Sequence, residues 1–393
     1  MRVTHVITRL VVGGAQENTV STVLGLRERP GIEIELLSGP TTGPEGSMES
    51  AFVSCPQLLK IIPPLVRPVH PWKDLLAFRH LARHFRSRRP DLVHTHSGKA
   101  GVLGRLAAHR AGVPVIIHHI HGPSFGEFQG AVANSVFLTA ERVAARATTH
   151  FVCSANAMTR RYLAAGIGRP EMYTRVLSGF QLKPFIAATN DPAFRAKLGF
   201  AADDFVIGKI SRLAPLKGHD DLLRAVAQML PSYAVARLLF VGDGPLRAQL
   251  ESRTRQLGLA GKVRFAGLVA PAEVARYIGI MDCVVHLSYR EALSRALPQA
   301  LAAAKPIIAY DFDGADEVCF NGETGYLVRT GDVKAVTTHL LELAKNAALR
   351  EQFGSRGRQI VSENFSVEKM IEDLYQLYLR LAVAHPRAVG ICE

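Results

Sequence analysis

The chain has 393 residues, enough for two domains of ordinary size, and its 48% apolar and 21% charged residues are typical of a globular protein. No run approaches the roughly 18 unbroken apolar residues of a membrane-spanning helix, and the N-terminus MRVTHVITRL lacks the long apolar core of a signal peptide. Five scattered cysteines without a C-x-x-C pair argue against a disulfide framework or thiolate metal site and favour a reducing cytoplasm: Cys55, Cys153, Cys283, Cys319 and Cys392.

The net charge of +13 is distributed unevenly along the chain. Residues 1–183 carry 22 Lys and Arg against 11 Asp and Glu, whereas residues 184–393 carry 25 against 23. The first half is therefore the basic half, with a balance of +11. Such a surface attracts anionic headgroups, phosphorylated carriers or other polyanions, although a general bias toward arginine in the coding sequence would give the same excess.

In the first half, short apolar runs alternate with longer amphipathic ones. The predicted strands are Arg2–Ile7, Ile32–Leu37, Leu58–Ile62, Asp91–Thr95, Val115–His119, His150–Cys153 and Tyr173–Leu177. The predicted helices are Trp72–Arg88, Lys99–Ala111, Ala131–Ala147 and Ala155–Ala164. Strands that alternate with helices indicate a parallel sheet covered on both faces.

The pattern breaks at SGFQLKP, residues 178–184, and then resumes. The later predicted strands are Phe205–Ile210, Leu238–Val241, Val263–Ala266, Cys283–Leu287, Pro306–Tyr310 and Gly325–Val328. The clearest later helices are Asp220–Leu230, Leu246–Leu257, Ala292–Ala304 and Ser366–Ala382.

This alternation predicts the α/β class with two doubly wound, Rossmann-like domains facing each other across a cleft. We place a first domain at 1–180 and a second at 181–365. The last segment, 366–393, is expected to be a helix that crosses back to the first domain. Ligands of such sheets bind beyond the carboxyl ends of the strands, so the site residues should follow strands.

Two strand ends carry residues suited to a phosphate or diphosphate. Gly13 and Gly14 follow the first strand and open a helix, where backbone N–H groups can approach a phosphate or sugar, although a plain tight turn is equally consistent. Arg212 and Lys217 follow the strand FVIGKI with no acidic residue between them. An Arg fork and a mobile Lys ammonium suit a diphosphate, and the alternative is an ordinary solvated basic turn.

The segment YREALSRALPQALAAAKPIIAY is the most informative in the chain. Glu291 lies before the predicted helix, where its carboxylate can accept hydrogen bonds from sugar hydroxyls. The backbone N–H groups of Leu293, Ser294 and Arg295 are expected to meet phosphate at the mouth of that helix. Gln299 follows Glu291 by two helical turns and is expected on the same helix face.

With these residues in place, the chain resembles the retaining family-4 glycosyltransferases of the GT-B fold. The resemblance covers nearly the whole chain, through GGAQENTV, HTHSGKAGVLGR, HHIHG, SRLAPLKGH, VGDGPLRAQLE, NGETGYLV and FSVEKM. It implies that the domain at 1–180 binds the acceptor and that the domain at 181–365 binds the nucleotide sugar. It also implies that Gly13 and Gly14 lie against donor and acceptor, and that Arg212 and Lys217 bind the diphosphate. Glu291 matches the first glutamate of the family's E-x7-E motif, which contacts the donor sugar.

The chain departs from this motif at two positions. Gln299 stands where the family has its second glutamate, which holds the nucleotide ribose, and Ala292 replaces the usual glycine. Because the glutamine amide keeps one acceptor and adds a donor, we expect ribose binding to survive in weakened form.

Histidines cluster at two predicted strand ends, with His94 and His96 on one face and His119 and His121 on one face by alternation, beside His118. Three interpretations remain open. The first is a zinc site, which lacks a cysteine or nearby carboxylate. The second is a set of hydrogen-bonded strand-end histidines. The third follows from the resemblance, in which His121 matches the active-site histidine that orients the transferring sugar or stabilises charge.

Two further patterns have a structural interpretation that we prefer. Asp311 and Asp313 spell D-x-D, which we interpret as a loop turn, because Arg212 and Lys217 already balance a diphosphate without a metal. The basic amphipathic segment Trp72–Arg89 is expected to cover the sheet, with attachment to a membrane as the alternative.

The prediction is an enzyme, a retaining hexosyltransferase that moves a sugar from a nucleotide-diphosphate sugar, with UDP-sugar favoured, to a glycan or lipid-linked acceptor. We expect no cofactor, no metal and no nucleic acid. The expected setting is cell-surface polysaccharide or glycolipid assembly in the cytoplasm, with peripheral contact between the basic half and an anionic membrane. The alternatives are a nucleotide-sugar epimerase on the same fold, a non-catalytic protein that binds anionic glycans or membranes, and, least supported, a dinucleotide dehydrogenase without an intact G-x-G-x-x-G.

Overall fold

A computed structural model describes residues 1–42 and 46–386 of the chain. These residues form two compact units, one made of residues 1–179 with the segment from 367 onward, the other of residues 180–366. The four cysteines within the described ranges are buried thiols. Cys392 and the last residues of the predicted segment 366–393 lie outside those ranges.

The first unit is built on a seven-stranded parallel sheet. In chain order its strands are β1 Arg2–Ile7, β2 Glu33–Ser38, β3 Leu59–Ile61, β4 Leu92–His96, β5 Val115–Ile120, β6 His150–Cys153 and β7 Tyr173–Arg175. Their order across the sheet is β3-β2-β1-β4-β5-β6-β7. The central strands are buried along their length, since helices cover both faces of a parallel sheet.

The helices of the first unit are α1 Gly14–Leu26, α2 Pro71–Arg88, α3 Gly98–Arg110, α4 Ala131–Ala145, α5 Asn156–Ala164 and, at the end of the chain, α14 Val367–Ala384. The apolar face of α14 completes the core under β1 and α1, with Leu374 and Tyr378 fully buried. Where the two helices meet, a Cβ on Gly25 would lie 2.0 Å from the Cδ1 atom of Ile371, so a larger residue there would require the Ile371 side chain to move.

The second unit is built on a six-stranded parallel sheet. Its strands are β8 Phe205–Ile210, β9 Ala236–Val241, β10 Val263–Phe265, β11 Cys283–His286, β12 Ile307–Tyr310 and β13 Gly325–Val328, in the order β10-β9-β8-β11-β12-β13. Its helices are α6 Lys183–Ile186, α7 Pro192–Lys197, α8 His219–Met229, α9 Arg247–Gln256, α10 Val274–Gly279, α11 Ala296–Ala302, α12 Val333–Lys345 and α13 Ala347–Asn364.

Both sheets have the doubly wound order in which the chain reverses direction across the sheet after its third strand. The reversal lies between β1 and β4 in the first unit and between β8 and β11 in the second. The predicted α/β class with two Rossmann-like sheets is confirmed. Since connecting helices diverge to opposite faces at the reversal, the carboxyl ends of these four strands are where a ligand has room to bind.

The burial of α14 generates a stability prediction with a matched control on the same helix. Leu374 is fully buried, and its replacement by alanine is expected to destabilise the first unit by about 2–5 kcal/mol because it leaves a cavity. Leu379 is 39% exposed, and Leu379→Ala should change stability by less than about 0.5 kcal/mol. Urea unfolding followed by far-ultraviolet circular dichroism measures both, and equal effects would contradict the packing of α14.

Candidate active site

In the second unit, the structure brings Lys217 and Glu291 into direct contact. Lys217 lies in the loop between β8 and α8, and Glu291 lies in the loop after β11, the next strand in the sheet. The Nζ atom of Lys217 donates to the Oε1 atom of Glu291. Both side chains are about three-quarters buried, with 23% and 27% of their surface exposed. Two residues 74 positions apart in the chain therefore form one charged pair at the reversal of the sheet.

Gly218 allows this contact because it brings the β8–α8 loop against the end of β11. Its φ is +62°, and a Cβ at this position would lie 1.9 Å from the carbonyl oxygen of Leu287. The start of the same loop is packed closely against the end of β9. A Cβ on Gly242, which follows β9, would lie 2.2 Å from the carbonyl oxygen of Ser211. Arg212 follows Ser211 with an exposed side chain, on the same loop as Lys217.

His286, the last residue of β11, is the third member of this site. Its Nε2 atom lies 3.4 Å from the Oε1 atom of Glu291. Burial alone would raise the pKa of the Glu291 carboxyl, but the Lys217 charge and then His286 lower that pKa to about 2. Burial lowers the pKa of His286, and Glu291 opposes that shift. Glu291 is thus an anion at neutral pH, held between the Lys217 ammonium and the nearby His286 imidazole.

Lys209 lies under this cluster, inside the strand β8. It is fully buried, and its Nζ atom has no hydrogen-bond partner among the described residues. Burial, followed by repulsion from Lys217, lowers the pKa of Lys209 to about 7, while Glu291 and Asp221 raise it. A buried amine of this kind adds positive potential at the end of β8 when it is protonated.

The loop that carries Glu291 is held by contacts on both sides. The backbone N–H of Glu291 donates to the carboxylate of Asp313 at 2.9 Å. Tyr289 and Tyr310 both donate their hydroxyls to the carboxylate of Asp221, at the start of α8. Asp313, from the D-x-D sequence, therefore orients the Glu291 backbone from a turn residue with φ of +53°.

The helix predicted at Ala292–Ala304 is wrong at its start, because α11 spans only Ala296–Ala302. Pro298 is the third residue of α11, and proline is tolerated only in the first turn of a helix since it lacks an N–H and clashes with the preceding turn. Glu291 lies in a loop before α11, so the expectation that it shares a helix face with Gln299 is also wrong. Gln299 is buried in the middle of α11.

The three residues expected at the helix mouth lie in the loop before α11. Ser294 has its Oγ atom 3.5 Å from the Nδ1 atom of His286, and Leu293 beside it is half-buried. Arg295 immediately precedes α11, with its guanidinium 5.9 Å from the ring of Phe180. A small pocket beside Glu291 is lined by His286, Ser288, Ala292, Ser294, Leu297, Tyr310, Phe312 and Ala315.

In the first unit, the predicted glycines and histidines lie at the carboxyl ends of β1, β4 and β5. Gly13 and Gly14 form the start of α1, just beyond β1. His121 immediately follows β5 and is half-buried. Its Nε2 atom lies 2.9 Å from the Nδ1 atom of His96 at the end of β4.

His121 is one end of a buried array of imidazoles. The Nε2 atom of His96 lies 2.9 Å from the Nδ1 atom of His5 on β1, and the Nε2 atom of His5 lies 3.2 Å from the Tyr378 hydroxyl on α14. The Tyr378 hydroxyl also contacts the Nδ1 atom of His94. This hydrogen-bonded series of side chains therefore crosses three strands and reaches the last helix.

His119 joins the array by stacking. Its ring centroid lies 3.9 Å from that of His121, with the planes 15° apart. His118, the next residue back, points to the opposite face, where its Nδ1 atom lies 3.0 Å from the Thr95 hydroxyl. Burial lowers the pKa of His96 and His119 well below the usual value, so these imidazoles are neutral at pH 7.

Sequence reasoning missed four residues that complete these two sites. Lys209 is a charged residue inside an otherwise apolar strand, and His286 is the polar last residue of CVVH, so each gave a visible signal. His5 gave a weaker one, as a histidine in a buried strand. Tyr378 gave none, because its partners lie 284 and 373 residues away in the chain.

Comparison with known proteins agrees with this division of the chain. The sequence model of the family described as a glycosyl transferase 4-like domain matches residues 13–177. The model of the family described as glycosyl transferases group 1 matches residues 190–360. The first match covers β2 to β7 of the first sheet, and the second match covers all six strands of the second sheet. None of the described helices combines the length and hydropathy that a membrane span requires.

Individual relatives match over most of their length. An Escherichia coli UDP-Gal:alpha-D-GlcNAc-diphosphoundecaprenol alpha-1,3-galactosyltransferase is 26% identical over 82% of this chain and 84% of its own. The putative glycosyltransferase EpsD of Bacillus subtilis is 28% identical over 78% and 82%. Among solved structures, Anabaena HepE in complex with UDP-glucose superposes with a TM-score of 0.81 over 97% of this chain and all of its own, at 22% identity. The chain belongs to the GT-B glycosyltransferases of the group 1, family-4 type.

Proposed function

We propose that this glycosyltransferase transfers a hexosyl or related sugar from a UDP-sugar to a glycan or lipid-linked acceptor, with retention of configuration at the anomeric carbon. The observation that carries the proposal is the Lys217–Glu291–His286 cluster at the reversal of the second sheet. It combines a cation suited to a diphosphate with an anion suited to sugar hydroxyls.

Each predicted site residue has a role in this proposal. Lys217 and Arg212 bind the diphosphate and stabilise its negative charge as it leaves. Glu291 accepts hydrogen bonds from donor-sugar hydroxyls, and His286 and Asp313 position it.

The remaining residues are assigned to the ribose, phosphates and sugar of the donor and to the acceptor. Gln299 holds the nucleotide ribose, and the N–H groups of Leu293, Ser294 and Arg295 contact the phosphates. In the first unit, Gly13, Gly14 and His121 contact the transferring sugar or the acceptor.

Retention is supported by the family resemblance, and the composition of the site indicates how it would be achieved. Retaining glycosidases use a pair of closely spaced carboxylates, one of them as nucleophile. Glu291 is already engaged by Lys217 and His286, which hold its pKa near 2 and make it a weak nucleophile. We therefore infer substitution on the face of the leaving group, where the departing diphosphate takes the proton of the acceptor hydroxyl.

The donor base and the kind of acceptor are supported by similar proteins. HepE was solved with UDP-glucose, and the name of the Escherichia coli relative specifies a UDP-Gal donor and a diphosphoundecaprenol-linked acceptor. We infer the same chemical classes here, a UDP-sugar and a lipid-linked or polymeric glycan. The reaction would then belong to cell-surface polysaccharide or glycolipid assembly on the cytoplasmic side of the membrane.

Peripheral contact with an anionic membrane is supported by the exposed face of α2. Trp72, Leu75 and Leu76 are 73%, 39% and 47% exposed at the start of this helix. Exposed Arg79 and Arg83 follow one and two turns later. Apolar and basic side chains on one exposed helix are the composition of an interfacial anchor. On α4 of the same unit, Val132, Val136 and Phe137 are also exposed.

The donor site is tested with Lys217→Ala and a thermal-shift panel of UDP-, GDP-, ADP- and dTDP-sugars. A ligand that binds the native state raises the midpoint, and we expect UDP-sugars alone to do so, with or without EDTA. Loss of a charge-assisted phosphate contact, about 1.5–3 kcal/mol, should weaken UDP-sugar binding about 10–100-fold in the variant. The exposed Lys334, replaced by alanine, is the matched control.

Because Lys217 also holds Glu291, the unliganded variant is melted in parallel to separate lost affinity from lost stability. Equal UDP-sugar affinity in Lys217→Ala and wild type would remove the diphosphate role. Conversion of UDP-sugar to a different UDP-sugar without acceptor would identify an epimerase instead. The anomeric configuration of the product, read by nuclear magnetic resonance, decides retention.

The buried Lys209 generates a pH-dependent prediction. The unfolded chain holds the Lys209 proton up to about pH 10.5, whereas the folded chain releases it near pH 7. Wild-type stability should therefore rise between these values, relative to Lys209→Met, by up to about 1.4 kcal/mol per pH unit. Urea midpoints at pH 7, 8 and 9 measure the difference. Lys334→Met is the control, and parallel profiles for Lys209→Met and wild type would contradict the depressed pKa.

The membrane contact is tested with Trp72, the only tryptophan in the chain, as its own reporter. Vesicles containing anionic lipid should shift its emission to the blue, because the exposed indole leaves water, and phosphatidylcholine vesicles should not. Arg79→Glu together with Arg83→Glu should abolish the shift. Arg255→Glu, a single charge reversal at an exposed site of the second unit, should leave it intact. An unchanged emission of wild type with anionic vesicles would contradict the proposed membrane contact.

A further inference from the structure

The histidine array in the first unit contains a group with the geometry of a metal site. The ligand nitrogens of His96, His119 and His121 all lie within 4.8 Å of one another. They come from the ends of two neighbouring strands, β4 and β5, so the sheet itself fixes their relative positions. A second group, His5, His94 and His96, shares one member with the first and is completely buried.

His119 is the observation that points to a ligand. Its side chain is 1% exposed, and neither ring nitrogen has a hydrogen-bond partner among the described residues. A buried imidazole has one donor and one acceptor nitrogen, and leaving both unsatisfied costs free energy. Stacking on His121 does not satisfy either nitrogen. A bound ion that accepts one lone pair would remove half of this cost.

We propose that His96, His119 and His121 bind one divalent late-transition-metal ion, Zn2+ being the physiological candidate, with the fourth position open to an exchangeable anion. Imidazole is a preferred ligand of this class of ion, and three histidines with one open position is a known zinc arrangement. The site lies wholly within the first unit and goes beyond the proposed transfer reaction, with which it shares only His121.

The neighbours of His96 form a suitable outer shell. A ligating histidine needs its other ring N–H engaged by an acceptor, which sets the tautomer and aims the lone pair at the ion. The Nε2 atom of His96 lies 2.9 Å from the Nδ1 atom of His5, and His5 in turn contacts Tyr378. This series leaves the Nδ1 lone pair of His96 directed at His121.

The spacing of two of the three ligand atoms requires little movement, and the third, on the His119 ring that now stacks on His121, lies within 4.8 Å of both. The Nδ1 atom of His96 and the Nε2 atom of His121 lie 2.9 Å apart, bridged by a proton. In a tetrahedral site with metal–nitrogen bonds of about 2.0–2.1 Å, the two nitrogens would be about 3.3 Å apart. Replacing the proton with an ion thus asks for a shift of a few tenths of an ångström, which half-buried His121 can supply.

The charge of the site explains the fourth ligand. Both groups consist of histidines alone, and histidine binds a metal as the uncharged imidazole, so a divalent ion would bring its full charge into a buried region. A buried charge must be compensated. An anion such as hydroxide or phosphate can reach the ion from the side on which His121 is partly exposed to solvent.

The test uses the full-length chain without an affinity tag, stripped with chelator and titrated with Zn2+ by calorimetry and with Co2+ by visible absorption. We expect one equivalent of Zn2+ per chain and the d–d absorption of tetrahedral Co2+. His119→Thr should abolish both. His5→Leu removes the outer acceptor and should weaken Zn2+ binding about 10–100-fold.

His150→Gln is the matched control, since His150 is a buried imidazole on the neighbouring strand β6 that contacts Thr174. It should bind Zn2+ as wild type does, and circular dichroism checks that each variant is folded. Failure of wild type to bind one equivalent overturns the proposal, as does an equivalent that survives in His119→Thr. None of these readouts depends on transferase activity, so the proposed function can fail or stand separately.

Discussion

The parallel alignment of the thirteen strands in the described part of the chain is the constraint on which the rest of the molecule depends. A parallel sheet is covered on both faces, so its strands are mainly apolar, and polar groups can meet a ligand where the strands end. In each unit the strand order reverses once, and the connections there diverge. Polar side chains from distant parts of the chain therefore converge at one point of each sheet, and each unit uses that point differently.

In the second unit, backbone geometry and electrostatics act on the same contact. Gly218 lets one loop press against the end of β11, which places Lys217 beside Glu291. Asp313 fixes the glutamate from its backbone side and His286 from its carboxylate side. A pair at this depth is costly to build because both groups lose water. Such a cost is consistent with a site that exchanges part of the pair for the charges of a substrate.

Much of this organisation can be predicted from the sequence, and the features that were predicted wrongly or not at all have identifiable physical reasons. Alternating strand and helix patterns suffice for two Rossmann-like sheets, since periodicity is a local property. Lys217 and Glu291 follow from their places after strands and from the family resemblance. The sequence pattern predicts the start of α11 too early, although Pro298 indicates that the first turn of the helix lies near that residue. Tyr378 could not be predicted, because its contacts depend on where α14 packs.

The two strand-end sites differ in whether their buried ionisable groups are charged or neutral, and this difference follows from residue type. Lysine and glutamate remain charged by pairing, so the second site is a preformed set of opposite charges. Histidine can instead give up its proton, and burial keeps the imidazoles of His96 and His119 in the first unit neutral. Neutral imidazoles in series satisfy one another only while each donor meets an acceptor. Among the described residues this fails at one nitrogen of His94 and at both nitrogens of His119. The unsatisfied ring is therefore the point at which the array is incomplete, and a positive ligand is the addition that completes it.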